Sequence, residues 1–128
     1  MFAVLRRFEP YAYLILRIVV GAMFAVHGLQ KLLGMFGGQQ VPLWSRLGAA
    51  GVIEAVGGTL IAVGGWTAPV AFVASGEMAA AYYLAHYPKG GWPIQNGGEP
   101  AVLYCVVMLF LATRGSGIVS LDRLMKRK

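Results

Sequence analysis

Long apolar runs follow one another along almost the whole chain and leave little sequence for anything else. Of the 128 residues, 58% are hydrophobic and only 12% are charged, whereas a soluble domain usually carries about twice that charged fraction. A helix that crosses the hydrocarbon core of a bilayer needs about 20 apolar residues. The chain is therefore predicted to be an all-α integral membrane protein, a single domain over residues 1–128 without a separate soluble part.

Proline and glycine divide the apolar sequence into four predicted transmembrane helices, over about 11–33, 47–64, 68–87 and 99–113. The segment 88–98 is so rich in proline and glycine that we expect a non-helical loop. Short connections make consecutive helices antiparallel neighbours, which predicts an up-down-up-down four-helix bundle. Several glycines are expected to let the helices approach closely, namely Gly21, Gly51, Gly57, Gly58 and Gly76.

The basic residues predict how this bundle is oriented. The net charge is +6, and the lysines and arginines gather near the chain ends, a pattern that membrane topology explains better than nucleic-acid binding does. The side with both termini carries Arg6, Arg7, Arg114, Arg123, Lys126, Arg127 and Lys128, and the opposite side carries Lys31, Arg46 and Lys89. Both termini are therefore expected in the cytoplasm. Cys105, the single cysteine, forms no intrachain disulfide and is expected to be a packing residue.

Ionisable residues converge on the outer leaflet when each is placed by its depth along its helix. Glu54 lies roughly 10 Å below the outer end of the second helix, and Glu77 lies about halfway through the third. Charged groups at such depths normally face the bundle interior or a water-filled cavity. The alternative is that these carboxylates only join helices by hydrogen bonds. The predicted outer pocket, a ligand-binding site, comprises His27, Gln30, Lys31, Glu54, Glu77, Tyr82, Tyr83, His86 and Glu99.

Arg17 and Asp122 are predicted to have structural or topological roles on the inner side. Arg17 would extend its guanidinium to the interface or pair with Glu77. Asp122 lies beyond the fourth helix and would cap a helix or pair at the surface. The sequence Ser120-Leu121-Asp122 equally fits the start of a short interfacial helix.

Several motifs, in order along nearly the whole chain, resemble those of the DoxX family. They are Leu16-Arg17, Gly21, Phe24 and His27-Gly28-Leu29-Gln30-Lys31-Leu32; Glu54, Gly57-Gly58, Leu60 and Gly64-Gly65-Trp66-Thr67-Ala68; Asn96-Gly97-Gly98-Glu99; and Ser120-Leu121-Asp122. The resemblance implies a four-helix protein of the bacterial inner membrane, associated with membrane oxidoreductase systems such as thiosulfate:quinone oxidoreductase or thiol-redox complexes. By motif position it also implies importance for Arg17, His27, Gln30, Lys31, Glu54, Glu99 and Asp122. Glu77 lies outside these motifs.

The first functional hypothesis is a redox-linked accessory subunit that binds a quinone or a small reductant in the outer pocket. A quinone head group needs hydrogen-bond donors and a proton path beside an apolar channel, and His27, Glu54, Tyr82 and Tyr83 would supply them. The sequence has no CxxC pair, flavin fingerprint or iron–sulfur cysteines. No intrinsic cofactor is therefore expected, and catalysis, if there is any, would need an oxidoreductase partner.

Two other classes of function stay open at this point. His27 and His86 lie at similar depths, as a bis-histidine haem site requires, but the absence of any ExxH ligand pair disfavours haem, and no metal site is expected. A small oligomeric carrier or channel, or a non-enzymatic scaffold of a membrane complex, is the main alternative. The expected partners are membrane lipids, an oxidoreductase protein and further copies of the chain, and the basic C-terminus fits lipid headgroups better than nucleic acid.

Overall fold

The computed structural model describes residues 1–126, and every regular element in that range is helical. Arg127 and Lys128, counted above among the basic residues, lie outside the described residues. The helices are α1 (Phe2–Arg6), α2 (Glu9–Leu33), α3 (Arg46–Val63), α4 (Thr67–Ala81), α5 (Pro93–Asn96), α6 (Glu99–Arg114) and α7 (Leu121–Met125). A wide π-helical turn, Tyr82–His86, continues α4 and leads into a 3₁₀ turn, Tyr87–Lys89. The all-α prediction is confirmed for this part of the chain.

Two helices within residues 1–126 are long and apolar enough to cross a membrane by length and composition, α2 with 25 residues and α3 with 18. The third and fourth predicted spans are shorter as regular α-helices, because α4 has 15 residues and α6 has 16. The expectation of a wholly non-helical segment over 88–98 is wrong, because Pro93 begins the one-turn helix α5. Proline is compatible with the first turn of a helix, where its missing N–H would have had no partner.

Helices α2 and α3 run antiparallel with their backbones in direct contact. Gly21 and Gly28 of α2 face α3, and Gly58 of α3 faces α2; a Cβ atom on any of the three would overlap backbone atoms of the other helix. Gly21 and Gly28 are seven residues apart, which is close to two helical turns, so both lie on one face. Gly21 and Gly58 therefore do what the sequence predicts, whereas Gly76 does not, since no heavy atom lies within 4 Å of its Cβ position.

The remaining long helices complete the packing around a small core. Helix α4 packs along α6, while α3 and α4 touch less extensively than either of these pairs. Helix α2 meets α6 through aromatic contacts, with ring centroids 5.9 Å apart for Tyr13 and Phe110. The loop end of the molecule carries residues 34–45 and 87–98, and the terminal end carries the turn at 64–66 and residues 115–126.

The outer surface of the long helices is apolar. Large hydrophobic side chains are exposed on each of them, for example Ile15 on α2, Val56 on α3, Phe72 on α4 and Phe110 on α6. A helix that is hydrophobic on its outward face as well as its inward face is typical of a membrane environment.

Arg17 is buried at the terminal end, with a relative exposure of 1%. Its guanidinium donates hydrogen bonds to the carbonyl oxygens of Ser116, Val119 and, more weakly, Ile118 and Ala62. The expectation that Arg17 extends to the interface or pairs with Glu77 is therefore wrong. The segment that follows α6 folds back over the first half of α2 and supplies three of the four acceptors, and Ala62 of α3 supplies the fourth.

Asp122 fixes the same segment to the start of α4. Its two carboxylate oxygens accept hydrogen bonds from the backbone N–H groups of Trp66, at 2.7 Å, and Thr67, at 3.2 Å. These groups have no partner within the helix, and a carboxylate at a helix N-terminus also interacts favourably with the helix dipole. The capping role predicted for Asp122 is observed, and Ser120 in turn caps α7 by accepting from the N–H of Arg123.

The glycine contact generates a test of the α2–α3 interface. Gly58→Ala should lower the free energy of unfolding by about 1–3 kcal/mol, because the added methyl group overlaps the backbone of α2. Gly76→Ala is the matched control on an open surface, and it should leave stability unchanged or raise it by less than about 1 kcal/mol. Thermal unfolding midpoints of the purified protein in mild detergent measure both. Equal midpoints for the two variants would contradict the backbone contact.

Candidate functional site

A buried ion pair joins α2 and α3 below the loop end. Lys31 donates from its Nζ atom to Oε1 of Glu54, and the side chains are 28% and 2% exposed, respectively. The glycine at position 51 makes room for this pair, because a Cβ atom there would lie 3.2 Å from Cβ of Lys31. The second carboxylate oxygen of Glu54, Oε2, is buried and has no hydrogen-bond partner among the described residues.

Glu54 faces a cavity of about 140 Å³ between α2, α4 and α6, called here the Glu54 cavity. Apolar side chains cover most of its wall, and four polar or ionisable side chains join Glu54 in it. The hydroxyl group of Tyr104 is buried in this wall and, like Glu54 Oε2, has no partner among the described residues. The lining residues are Phe24, His27, Lys31, Glu54, Met78, Ala81, His86, Pro100, Ala101 and Tyr104.

Two histidines stand at the rim of the Glu54 cavity. His27 packs edge-on against the ring of Tyr104, with centroids 5.8 Å apart. His86 belongs to the π-helical turn that ends α4, and its Nδ1 atom lies 3.2 Å from the carbonyl oxygen of Asn96. Single π-helical turns recur at functional sites because they re-aim a side chain that a regular helix would point elsewhere.

Asn96 lies next to the cavity and holds its neighbours in place through hydrogen bonds. It is 4% exposed, and its side-chain amide donates to the hydroxyl of Tyr82, at 3.1 Å, and to the carbonyl of Gly90, at 2.9 Å. The side-chain oxygen of Asn96, Oδ1, accepts a hydrogen bond from the backbone N–H of Gly98. Tyr82 therefore belongs to the network that positions His86 rather than to the lining itself.

Glu77 lies in a second cavity, of about 470 Å³, between α3 and α4. Its Oε2 atom is also buried without a hydrogen-bond partner among the described residues, and Glu54 and Lys31 are near enough for their charges to act on it. Arg46 lines the same cavity, whereas Lys31 and Ala81 line both cavities. The structure thus divides the single predicted pocket into two cavities with Lys31 and Ala81 between them.

Besides Tyr82, three residues of the predicted pocket line neither cavity. Gln30 turns toward the following loop and donates to the carbonyl of Phe36, at 3.3 Å. Tyr83 is 67% exposed, and Glu99 is exposed in the first turn of α6. Depth along a helix places these three near the loop end, but depth does not predict the direction in which a side chain points.

The sequence prediction left out three residues that the structure brings to the site, namely Arg46, Asn96 and Tyr104. Tyr104 was detectable as a hydroxyl group in an apolar helix at the same level as His27, and Asn96 belongs to the glycine-rich motif before α6. Within residues 1–126, no group of three or more His, Cys, Asp or Glu side chains is arranged to hold a metal ion.

The helical structure, the apolar outer faces and the buried ion pair are together typical of a small integral membrane protein. Residues 12–87 match the DoxX family model, and that match covers more than half of the chain. The chain is also 42% identical over 125 residues to an uncharacterized protein of Haemophilus influenzae, with 92% of this chain and 93% of that protein covered. No solved structure matches. The chain therefore belongs to the DoxX family, as its motifs suggested, and is a membrane protein.

The ion pair between Lys31 and Glu54 generates a double-mutant test. Lys31→Met and Glu54→Gln should each lower the free energy of unfolding by about 2 kcal/mol or more, because each leaves a buried partner unpaired. The double variant should lose clearly less than the sum of the two single losses. Thermal unfolding in mild detergent measures all three.

The control is a second ion pair, between Arg114 and Glu9, at 2.6 Å with side chains 34% and 50% exposed. Glu9→Gln should cost less than about 1 kcal/mol, because exposed pairs contribute little. Strictly additive losses for Lys31→Met and Glu54→Gln would show that the buried pair contributes no coupling energy.

Proposed function

We propose that this DoxX-family chain is a redox-linked accessory subunit that binds the ring of a quinone or of a similarly small reductant in the Glu54 cavity. The observation that carries the proposal is a pair of buried polar atoms that have no hydrogen-bond partner within residues 1–126. They are Glu54 Oε2 and the Tyr104 hydroxyl, on residues that line one cavity. A buried polar group without a hydrogen bond costs about 1–3 kcal/mol. A ligand with complementary groups would remove that cost at both atoms.

The size and lining of the cavity support a single ring as the ligand. An apolar cavity of roughly 150 Å³ accepts benzene, and the Glu54 cavity has about 140 Å³. Phe24, Met78 and Ala101 supply apolar surface for the ring. The Tyr104 hydroxyl would donate to a quinone oxygen, and Glu54 Oε2 would accept from the hydroxyl of the reduced form. Ligand and cofactor pockets are usually about 300–1,000 Å³, so we do not propose haem between His27 and His86.

The chain's own part in a redox reaction would be binding and proton exchange. An imidazole group can both accept and donate a proton, and the two histidines at the rim would pass protons between the cavity and the aqueous side. The sequence has one cysteine and no flavin fingerprint, so the electrons would have to pass to or from a partner oxidoreductase. A small carrier is supported less, because a passage would have to connect the two cavities and Lys31 and Ala81 stand between them.

The same proposal includes four membrane spans. Helix α4 and its π-helical turn cover residues 67–86 without a break, which matches the ~20 residues of a span. Helix α6 is shorter but carries exposed apolar side chains at Val106, Leu109 and Phe110. The excess of basic residues at the terminal end favours cytoplasmic termini in a bacterial inner membrane, which would open the Glu54 cavity toward the opposite side.

The hydroxyl of Tyr104 provides the binding test. Tyr104→Phe should weaken the binding of a short-chain benzoquinone analogue about five- to tenfold, the effect of losing roughly one hydrogen bond. Tyr83→Phe, which removes an exposed hydroxyl outside the cavity, should bind like the wild type. Equilibrium titration of the purified protein in mild detergent measures both. Wild-type protein without measurable affinity, or equal affinity of the two variants, would refute the site.

The proposed role as an accessory subunit predicts a stable complex with an oxidoreductase. The chain, purified in mild detergent from its native membranes, should retain an oxidoreductase protein at a constant molar ratio, because its sequence contains no motif for an electron carrier. Quantitative mass spectrometry of the purified sample measures that ratio. A preparation that contains this chain alone, and that nevertheless binds the quinone analogue, would refute the accessory-subunit role and leave the binding site standing.

A further inference from the structure

A groove runs along the seam between α3 and α4 on the side of Lys31 and Ala81 away from the Glu54 cavity. Its loop-end part is the cavity of about 470 Å³ that contains Glu77, and a second part of about 430 Å³ continues toward the terminal end. Ile53 lines both parts. From Arg46 to Leu60 this α3–α4 groove is about 20 Å long at the rise of an α-helix, which exceeds the ~15 Å of one leaflet's hydrocarbon.

Short side chains explain why the groove exists. Where α2 and α3 use glycine to bring their backbones into contact, α3 and α4 face each other across a wall of alanines that does not close the seam. Both parts are lined by both helices. The short side chains in the wall are Ala49, Ala50 and Gly57 of α3, Ala80 and Ala81 of α4, and Ala85 of the π-helical turn.

Polar and apolar groups follow one another along the groove in a definite order. Arg46 is exposed at the loop end, where it makes no salt bridge among the described residues. Glu77 lies deeper, roughly 13 Å from the end of the helical run at His86. Below Glu77 both walls are apolar, with Val56 and Leu60 on α3 and Val73 on α4. Trp66 lies at the terminal end of the groove.

We propose that the α3–α4 groove is a binding site for one phospholipid molecule. Its phosphate pairs with Arg46, a glycerol ester carbonyl lies at the carboxyl group of Glu77, and one acyl chain runs between Val56 and Val73 toward Trp66. The order of phosphate, ester and hydrocarbon in a phospholipid is the order of cation, carboxyl group and apolar wall in the groove.

The chemistry of each contact supports this order. A guanidinium binds phosphate through charge-assisted, bidentate hydrogen bonds. A carboxyl group that faces hydrocarbon is least costly as the neutral acid, which carries a donor for an ester oxygen. The acyl chain gains little, because the surrounding bilayer is equally apolar. The head group therefore sets the selectivity, and the charge of Arg46 favours an anionic lipid.

The lipid site lies in a different cavity from the proposed quinone site, and Tyr104 lines only the quinone site. Tyr104→Phe should therefore leave phospholipid binding unchanged. A protein that fails to bind the quinone analogue can still retain its lipid, so the two proposals fail separately.

Native mass spectrometry of the delipidated full-length chain in mild detergent, titrated with dioleoyl phosphatidylglycerol or dioleoyl phosphatidylcholine, tests the proposal. One phosphatidylglycerol should bind about fivefold more tightly than phosphatidylcholine, the factor expected for a single interfacial cation. Arg46→Gln should abolish that preference, whereas Lys89→Gln, which removes an exposed cation at the same end, should preserve it. A random distribution of adducts without head-group preference would overturn the site.

Substitutions that fill the groove test the position of the lipid acyl chain. Val73→Trp should reduce the affinity for phosphatidylglycerol about tenfold or more, while Phe72→Trp, on the adjoining exposed surface, should not. Val56→Trp fills the groove from the α3 wall and serves the same purpose if Val73→Trp does not fold. Equal retention of lipid by the groove-filling variants and by Phe72→Trp would overturn the proposal.

Discussion

The backbone contact between α2 and α3 is the constraint on which the site depends. Gly28 and the nitrogen of Ala55 approach so closely that no side chain fits between them, and Lys31 and Glu54 lie within one turn of that contact on their respective helices. The close approach fixes both the distance and the rotation of the two helices. The lysine is thereby held on the carboxylate, and Glu54 presents its other oxygen to the cavity.

The ion pair in turn divides the interior. Two carboxylates and a lysine at membrane depth are costly unless they are paired, and here Lys31 is paired with Glu54 and lies near Glu77. Glu54 consequently lines the small cavity between α2, α4 and α6, and Glu77 lines the groove between α3 and α4. The two polar sites share one cation, so a change of charge at one of them is felt at the other.

The sequence predicted the helices well, because apolar length and the positions of proline and glycine are local properties. It also predicted that Lys31, Glu54 and His86 belong to one pocket, and all three line the Glu54 cavity. It did not predict the direction of side chains around each helix axis, which is why Gln30 and Tyr83 were grouped with Glu54. The partners of Arg17 escaped prediction for a related reason, because they are backbone carbonyls, three of them about a hundred residues away.

Most of the hydrogen bonds of Arg17 at the terminal end can form only late in the synthesis of the protein. Arg17 is made with the first long helix, whereas three of the four carbonyl groups that accept its hydrogen bonds belong to residues 116–119 and are made about a hundred residues later. Until that segment has been synthesised, the guanidinium needs water or another transient acceptor. A chain interrupted before this segment would keep only the weaker hydrogen bond from Arg17 to the carbonyl of Ala62.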